Sequence, residues 1–366
     1  MEYLKLEDCC EILDSKRIPV TANKRRNGKY PYYGANGLQD YVDDYIFDDE
    51  LVLLAEDGGN FNSKDKPIAY RVSGKCWVNN HAHVLKPKQG ISVDYLCYAL
   101  MYYDVSGLVN GATRQKLTQA TMRKMKIPIL SEIDQLRIVE IMNSIQQLKN
   151  DYRSILHKLD VLIKARFIEM FGDININNKN WHTEHLGKLC NIVRGSSPRP
   201  IEKYLGGDIP WIKIGDATDG DNIYLNSTKE HIIREGVNKS RFVKEGSLIF
   251  ANCGVSLGFA RIISFDGCIH DGWLALENID SRLNKEFLLL SLNQLTDHFR
   301  IIAPSGTQPN LNIAIMQNFM QVIPPMELQE TFVSFRRQVD KSREEVKKSL
   351  EKTQQLYDSL MQEYFG

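Results

Sequence analysis

No stretch of this 366-residue chain approaches the ~18 consecutive apolar residues that a membrane helix needs. The opening Met-Glu-Tyr-Leu-Lys-Leu-Glu-Asp lacks the pattern of a secretory signal, so the expected compartment is the cytoplasm. Paired cysteines are missing too. Cys9, Cys10, Cys76, Cys97, Cys190, Cys253 and Cys268 are scattered without a CxxC, which removes support for zinc and redox motifs and suits a reducing compartment. There is no excess of either charge, since 46 basic residues balance 46 acidic ones. That argues against indiscriminate, charge-driven binding of nucleic acid. It leaves a sequence reader open, because local patches matter more than the total. No GxxxxGK[ST] loop is present, so the chain is no nucleotide-driven motor. Asp57-Gly58-Gly59 lacks GxG spacing, and Ile323-Pro324-Pro325-Met326 lacks the polar and aromatic neighbours of a base-holding loop. An adenine methyltransferase would need both. His81 and His83 could share one side of a strand, a spacing that more often marks a polar face than a metal site. The acidic runs Asp43-Asp44 and Asp48-Asp49-Glu50 read as solvated loop before a strand at Leu51.

What is present is a duplication. Leu117 matches Leu311, Gln135 matches Gln329 and Phe171 matches Phe365, each at a separation of 194. Leu6, Cys10 and Ile12 match Leu186, Cys190 and Ile192; Val52 to Ala55 before Gly58 matches Leu248 to Ala251 before Gly254; Tyr95-Leu96 matches Phe287-Leu288. Offsets drift between 180 and 196, as they do when loops diverge and core order is kept. Each copy has a loop-rich mixed part with short strands (Tyr45 to Phe47, Leu51 to Ala55, Ile68 to Val72, Ser247 to Ala251, Ala260 to Ile263), followed by one long helix. The expected class is α+β: two homologous mixed α/β domains, 1–127 and 174–325, each followed by a helix, 128–173 and 326–366. A chain with an internal twofold repeat suits a partner that also has two halves, and DNA is the first candidate.

In the first helix Ile138, Ile141, Ile145, Leu148, Tyr152, Ile155, Leu159 and Leu162 follow 3-4 spacing, the seam of a coiled coil. The second carries Phe332, Phe335, Val339, Val346, Leu350, Leu356 and Leu360 on one face, weakened by Ser342, Ser349 and Thr353. Any helical hairpin or homodimeric coiled coil fits this periodicity equally well. The repeat favours an antiparallel pair with an approximate dyad, each helix spanning roughly 55 Å, which is about one and a half turns of DNA.

Candidate contacts with phosphate and base edges come from loops. The densest basic patch is Lys24, Arg25, Arg26 and Lys29, with Tyr30 and Tyr32 beside it; a solvated turn is the plainer reading. Its counterpart holds Arg194, Ser196, Arg199 and Lys203, with Lys213 further on. The loops before the helices supply Arg114, Gln115 and Lys116 in one copy and Gln308 and Asn310 in the other. Asn60 and Asn62 follow Gly58-Gly59, and Asn252 holds the matching place. A capping or orienting role would explain the repeated pre-helix loops as well as DNA contact does.

Taken in order, these features resemble the specificity subunit of type I restriction–modification enzymes, over essentially the whole length. The resemblance rests on the duplicated Ile-Pro and Gln segments leading into helices, on the run from Tyr30 through Gly37 to Tyr41-Val42-Asp43-Asp44-Tyr45-Ile46-Phe47, and on Ile209-Pro210-Trp211-Ile212-Lys213-Ile214-Gly215-Asp216 with the Gly246-to-Ile249 strand. It implies a non-catalytic reader with two target-recognition domains and an antiparallel coiled-coil spacer, recognising a split, asymmetric site on double-stranded DNA. It further implies two modification (methyltransferase) subunits docked on the helices and two restriction (translocase–nuclease) subunits, with S-adenosylmethionine, ATP and Mg2+ belonging to those partners. The alternatives from the residues alone are a coiled-coil scaffold or regulatory DNA-binding protein, and a divergent DNA methyltransferase.

Overall fold

The computed structural model describes residues 2–63, 66–111, 114–218, 223–304 and 310–366. The chain forms two compact units, one made of Met1–Ile155 with Val346–Gly366 and the other of Leu156–Glu345.

In the first unit a six-stranded sheet runs in the order Cys10–Ile12, Ala82–Pro87, Phe47–Ala55, Ala69–Val78, Tyr30–Gly34, Gly37–Val42. Leu51 to Ala55 is an unbroken apolar run because both faces are covered. Leu6, Val52, Leu54 and Leu85 pack with Leu96 and Leu100 of the Val93–Met101 helix, whose start is capped by Ser92. Leu51, Leu53, Val72 and Val84 fill the other side. The acidic run Asp48 to Glu50 lies within the Phe47–Ala55 strand rather than in a preceding loop. Cross-strand cations make this tolerable: Lys86 meets Asp49 at 2.6 Å and Arg71 meets Glu50.

The second unit repeats the core order with Asn191–Arg194, Trp273–Glu277, Leu248–Ala251 and Ala260–Ile263. The Lys285–Gln294 helix, capped by Asn284, takes the place of the Val93–Met101 helix. Beyond that core the two diverge. The second unit adds a separate four-stranded sheet, in the order Glu230–Ile232, Leu205–Ile212, Gly267–Ile269, Arg241–Val243.

The matched residues have matched tasks. Gln135 is 1% exposed and Gln329 is 0% exposed. Gln135 accepts from the Ser92 amide at 2.9 Å and donates to the Gly90 and Leu130 carbonyls at 3.0 Å each. Gln329 accepts from the Asn284 amide at 2.8 Å and donates to Arg282 and Pro324 carbonyls at 2.9 and 2.7 Å. One buried amide thus ties the start of each long helix to the start of the short helix on its sheet and saturates backbone groups that would otherwise be orphaned. Phe171, ending the first long helix, sits 4.8 Å from Phe287; Phe365, ending the second, sits 5.2 Å from Tyr95.

The long helices are Glu132–Phe171 and Met326–Phe365. In the first unit Val139, Met142 and Ile145 pack with Tyr357, Leu360 and Met361. In the second, Ile163 and Phe167 pack with Phe332, Val333 and Val339. Early residues of each helix meet late residues of the other, so the pair is antiparallel. The strict heptad seam is corrected. Leu148, Ile155, Leu162 and Leu356 are exposed, while Val139, Met142, Ile163 and Phe167, which lie off that seam, are buried. A straight helix at 3.6 residues per turn drifts about 20° per heptad away from a 3.5-residue stripe. Ile138, Ile145, Phe332 and Val339 are buried as expected, and Ile141, Tyr152, Leu159, Phe335, Val346 and Leu360 are half-buried.

Candidate nucleic-acid interface

In the first unit two loops are stitched together at the end of the interior Phe47–Ala55 strand. Asp57 bridges Lys116, the Leu117 amide donates to the Glu56 carbonyl at 2.7 Å, and the Gly58 amide donates to the Gln115 carbonyl at 3.3 Å. This brings Asn60, Asn62, Arg114, Gln115 and Lys116 into one region. Arg114 reaches Asp57 at 2.8 Å, His81 lies 2.6 Å from the same carboxylate, and Lys116 pairs with Glu56 at 2.9 Å. Asn36 donates to the Gly58 carbonyl at 3.0 Å. Gly58 has φ +63°, and a Cβ there would lie 3.1 Å from the Arg114 guanidinium, so glycine suits the loop better than a residue with a side chain. Asn60 donates to the Pro67 carbonyl at 3.3 Å, whereas Asn62 is exposed.

The basic segment splits. Lys24, Arg26 and Lys29 are exposed, and Arg26 is loosely paired with Asp43 at 4.0 Å. Arg25 turns inward, donating to Val20 and Asp40 at 3.2 and 3.3 Å and stacking 4.1 Å from the centre of Tyr32. Tyr32 is 1% exposed, with its hydroxyl held by Val20. Tyr32 is therefore corrected from a contact residue to a core residue; alternation along the Tyr30–Gly34 strand sends it to the buried face. Tyr30 is half-buried beside Tyr45 at 5.0 Å.

In the second unit Asp271 gathers the counterpart residues. Arg199 lies 3.6 Å and His270 2.8 Å from its carboxylate, Ser197 donates to it at 2.9 Å, and Arg194 donates to its carbonyl at 2.9 Å. Burial lowers the pKa of His270 despite Asp271, with nearby Lys213, Arg199 and Arg194 acting in the same direction as burial. Ser196 donates to the Lys239 carbonyl at 3.1 Å, Lys213 pairs with Glu230 at 2.5 Å, and Lys203 is exposed. Asn252 is corrected as well: it is 0% exposed and donates to Asn310 at 3.3 Å, acting as an internal tie for the pre-helix loop. Gln308 lies outside the described residues. His81, Asp57, Asn36, His270 and Asp271 were not legible as parts of these clusters, because each is brought in by a long-range strand pairing.

Behind the first loop pair lies a buried charge network. His83, 0% exposed, has Nδ1 at 2.6 Å from Asp14 and Nε2 at 2.9 Å from the Leu117 carbonyl. Arg17 joins Glu56 at 2.6 Å, and Gln119 donates to Asp14 at 2.9 Å. Burial pushes the Asp14 carboxyl up, but hydrogen bonds and charge from His83, with bonds from Val84 and Gln119, outweigh it and hold it below 3.8. Burial likewise raises Glu56, and Lys116 and Arg17 overcome it. Asp14, Glu56 and His83 lie close enough to share a metal ion. Arg17 and Lys116 already supply the compensating charge, and both ring nitrogens of His83 are engaged, so the donor set fits an ion-pair network better than a metal site.

Residues 1–158 and 178–355 match the family described as type I restriction modification DNA specificity domain. A putative type I restriction enzyme specificity subunit from Haemophilus influenzae is 28% identical over 344 residues, 91% of this chain and 86% of that protein. The MjaIX specificity subunit from Methanocaldococcus jannaschii is 26% identical, covering 73% and 67% of the two chains. The crystal structure of a type I system S subunit from M. genitalium aligns over 100% of this chain and 96% of its own with a TM-score of 0.60 at 15% identity. A chain from a structure concerned with complex assembly and conformational transition of the type I system gives 0.66 at 14% identity, over 100% and 97%. These two likenesses establish the fold. No described helix is long and apolar enough to cross a membrane.

Proposed function

The chain belongs to the type I restriction–modification DNA specificity family, and from that premise we propose that it is the non-catalytic subunit that reads a two-part, asymmetric DNA target for a cytoplasmic restriction–modification complex. The observation that carries this reading is the duplicated core with unlike loops. Strand order, the Gln135 and Gln329 ties and the terminal aromatic residues are repeated, whereas the Arg114–Asp57–His81 cluster and the Asp271-centred cluster differ. A repeated scaffold carrying different polar loops suits two readers of different half-sites. Two modification subunits dock on the helices, two restriction subunits join through that core, and S-adenosylmethionine, ATP and Mg2+ act in those partners. Exposed Leu148, Ile155, Leu162 and Leu356 offer apolar surface for such docking. Selection from a random DNA pool, using the chain with the modification subunit encoded beside it, tests the proposal. A motif with two fixed parts and an unread gap supports it; recovery of no motif refutes it.

A further inference from the structure

The two long helices share one register, 194 residues apart, and this exposes an uncompensated charge. In the second unit Arg343, 8% exposed, is neutralised by Asp160 and by Asp340 at 3.4 Å. The residue in the same register in the first unit is Lys149, 5% exposed. At the places of Asp160 and Asp340 the first unit has Gln354 and Gln146. The Lys149 ammonium lies 4.2 Å from the centre of the Tyr357 ring, and among the described residues it has neither an ion pair nor a hydrogen bond. Burial, reinforced by Arg153, holds its pKa below the ordinary lysine value, with Asp358 opposing.

Lys149, Gln146 and Gln354 all line one open cavity of about 1380 Å³ within the first unit. Arg153 and Lys126 add positive charge; Asp104 and Asp358 are the acidic side chains in the lining. Both are engaged nearby, Asp104 with the Ser106 amide at 2.9 Å and Asp358 with Gln354 at 2.8 Å. Tyr3 and Tyr102 stand half-exposed at its walls. A buried ammonium without a counter-ion is costly, and a carboxylate brought from outside would relieve it.

Resting on the partner reading above, we propose that this cavity receives a carboxylate side chain on an acidic segment of the modification subunit, which completes Lys149 as Asp160 and Asp340 complete Arg343. The aromatic walls bury the stem of that side chain and the cations orient its head.

The test titrates the purified modification subunit into full-length wild type, Lys149→Met and Gln354→Asp. Gln354→Asp places an internal carboxylate where the second unit has Asp160, so it competes with the partner. Both variants are expected to bind roughly tenfold or more weakly, the double variant no more weakly than Lys149→Met alone, and Gln354→Asp to melt at a higher temperature. Wild-type affinity in both variants overturns the proposal. So does acetate or inorganic phosphate stabilising wild type while subunit affinity is unchanged by Gln354→Asp, which assigns the cavity to a small anion. Self-association that is lost in Lys149→Met with subunit binding intact overturns it in favour of a second copy. If wild type itself fails to bind the modification subunit, the partner reading falls first, and this assignment with it.

Discussion

Asp14→Asn should destabilise the first unit at neutral pH while keeping its shape. Asp14 accepts from the Val84 amide at 2.9 Å, His83 at 2.6 Å and Gln119 at 2.9 Å, with Arg17 at 3.4 Å. An asparagine offers one acceptor oxygen and turns an amide donor toward groups that also donate. Breaking a buried ion pair from one side costs about 3–5 kcal/mol. The lower figure is expected here, because Glu56 remains 3.7 Å from His83 and 2.6 Å from Arg17. At about 1.4 kcal/mol per decade, 3 kcal/mol corresponds to roughly a hundredfold faster opening-limited exchange. Hydrogen exchange of peptides covering 47–55 and 82–87 reads this directly, with peptides 248–251 and 273–277 of the second unit as internal reference. The sign with pH follows from the depressed Asp14 pKa. Its stabilisation is present above the usual aspartate value and is lost as pH falls through the lower folded value. The gap between wild type and Asp14→Asn should therefore be full at pH 7, begin to shrink near about pH 4 and close only as pH passes below the depressed folded value. A loss under about 1 kcal/mol at pH 7, the typical net worth of a single neutral hydrogen bond, would refute the buried-network account.

Three further outcomes follow from the same geometry. Gln135→Ala and Gln329→Ala each leave a buried amide and two carbonyls short of a partner, costing about 1–3 kcal/mol per orphaned group; urea melts should show each loss confined to its own unit. Gly58→Ala should disturb the Arg114–Asp57 loop pair, strained by φ +63° and crowded by the guanidinium, and DNA selection should show weakened preference at one half-site only. Lys24→Ala with Arg26→Ala should reduce the slope of DNA affinity against salt by up to about 2 without lowering the melting temperature, whereas Arg25→Ala should lower the melting temperature through the lost Tyr32 stack and Asp40 pair.

Much of the fold was legible because the repeat markers are interior residues with identical duties. Leu117 and Leu311 are both fully buried, Gln135 and Gln329 make equivalent bonds, and Phe171 and Phe365 insert against equivalent aromatic residues. Burial on both faces also made Leu51 to Ala55 recognisable as a strand. The strict 3-4 seam does not follow the buried face for long, because a 3.5-residue pattern and a 3.6-residue helix separate progressively: Ile138 and Ile145 are buried, and Leu148 and Leu162 lie outside. Polar residues in glycine-rich loops marked candidate regions but not directions: Tyr32 and Asn252 point inward, and Lys24 and Asn62 outward. The His83 network and the bare charge of Lys149 depend on pairings across 69 residues and across the helix pair, which no local pattern reveals.

The most direct test of the central claim is methylation sequencing of DNA from cells that express this chain with its neighbouring modification subunit, alongside cells carrying an Arg114→Ala, Lys116→Ala variant. The account predicts a new two-part methyladenine motif that disappears without this chain, and in the variant a relaxed first or second half with the other half intact. A single undivided motif, or an identical pattern when the chain is deleted, would contradict it.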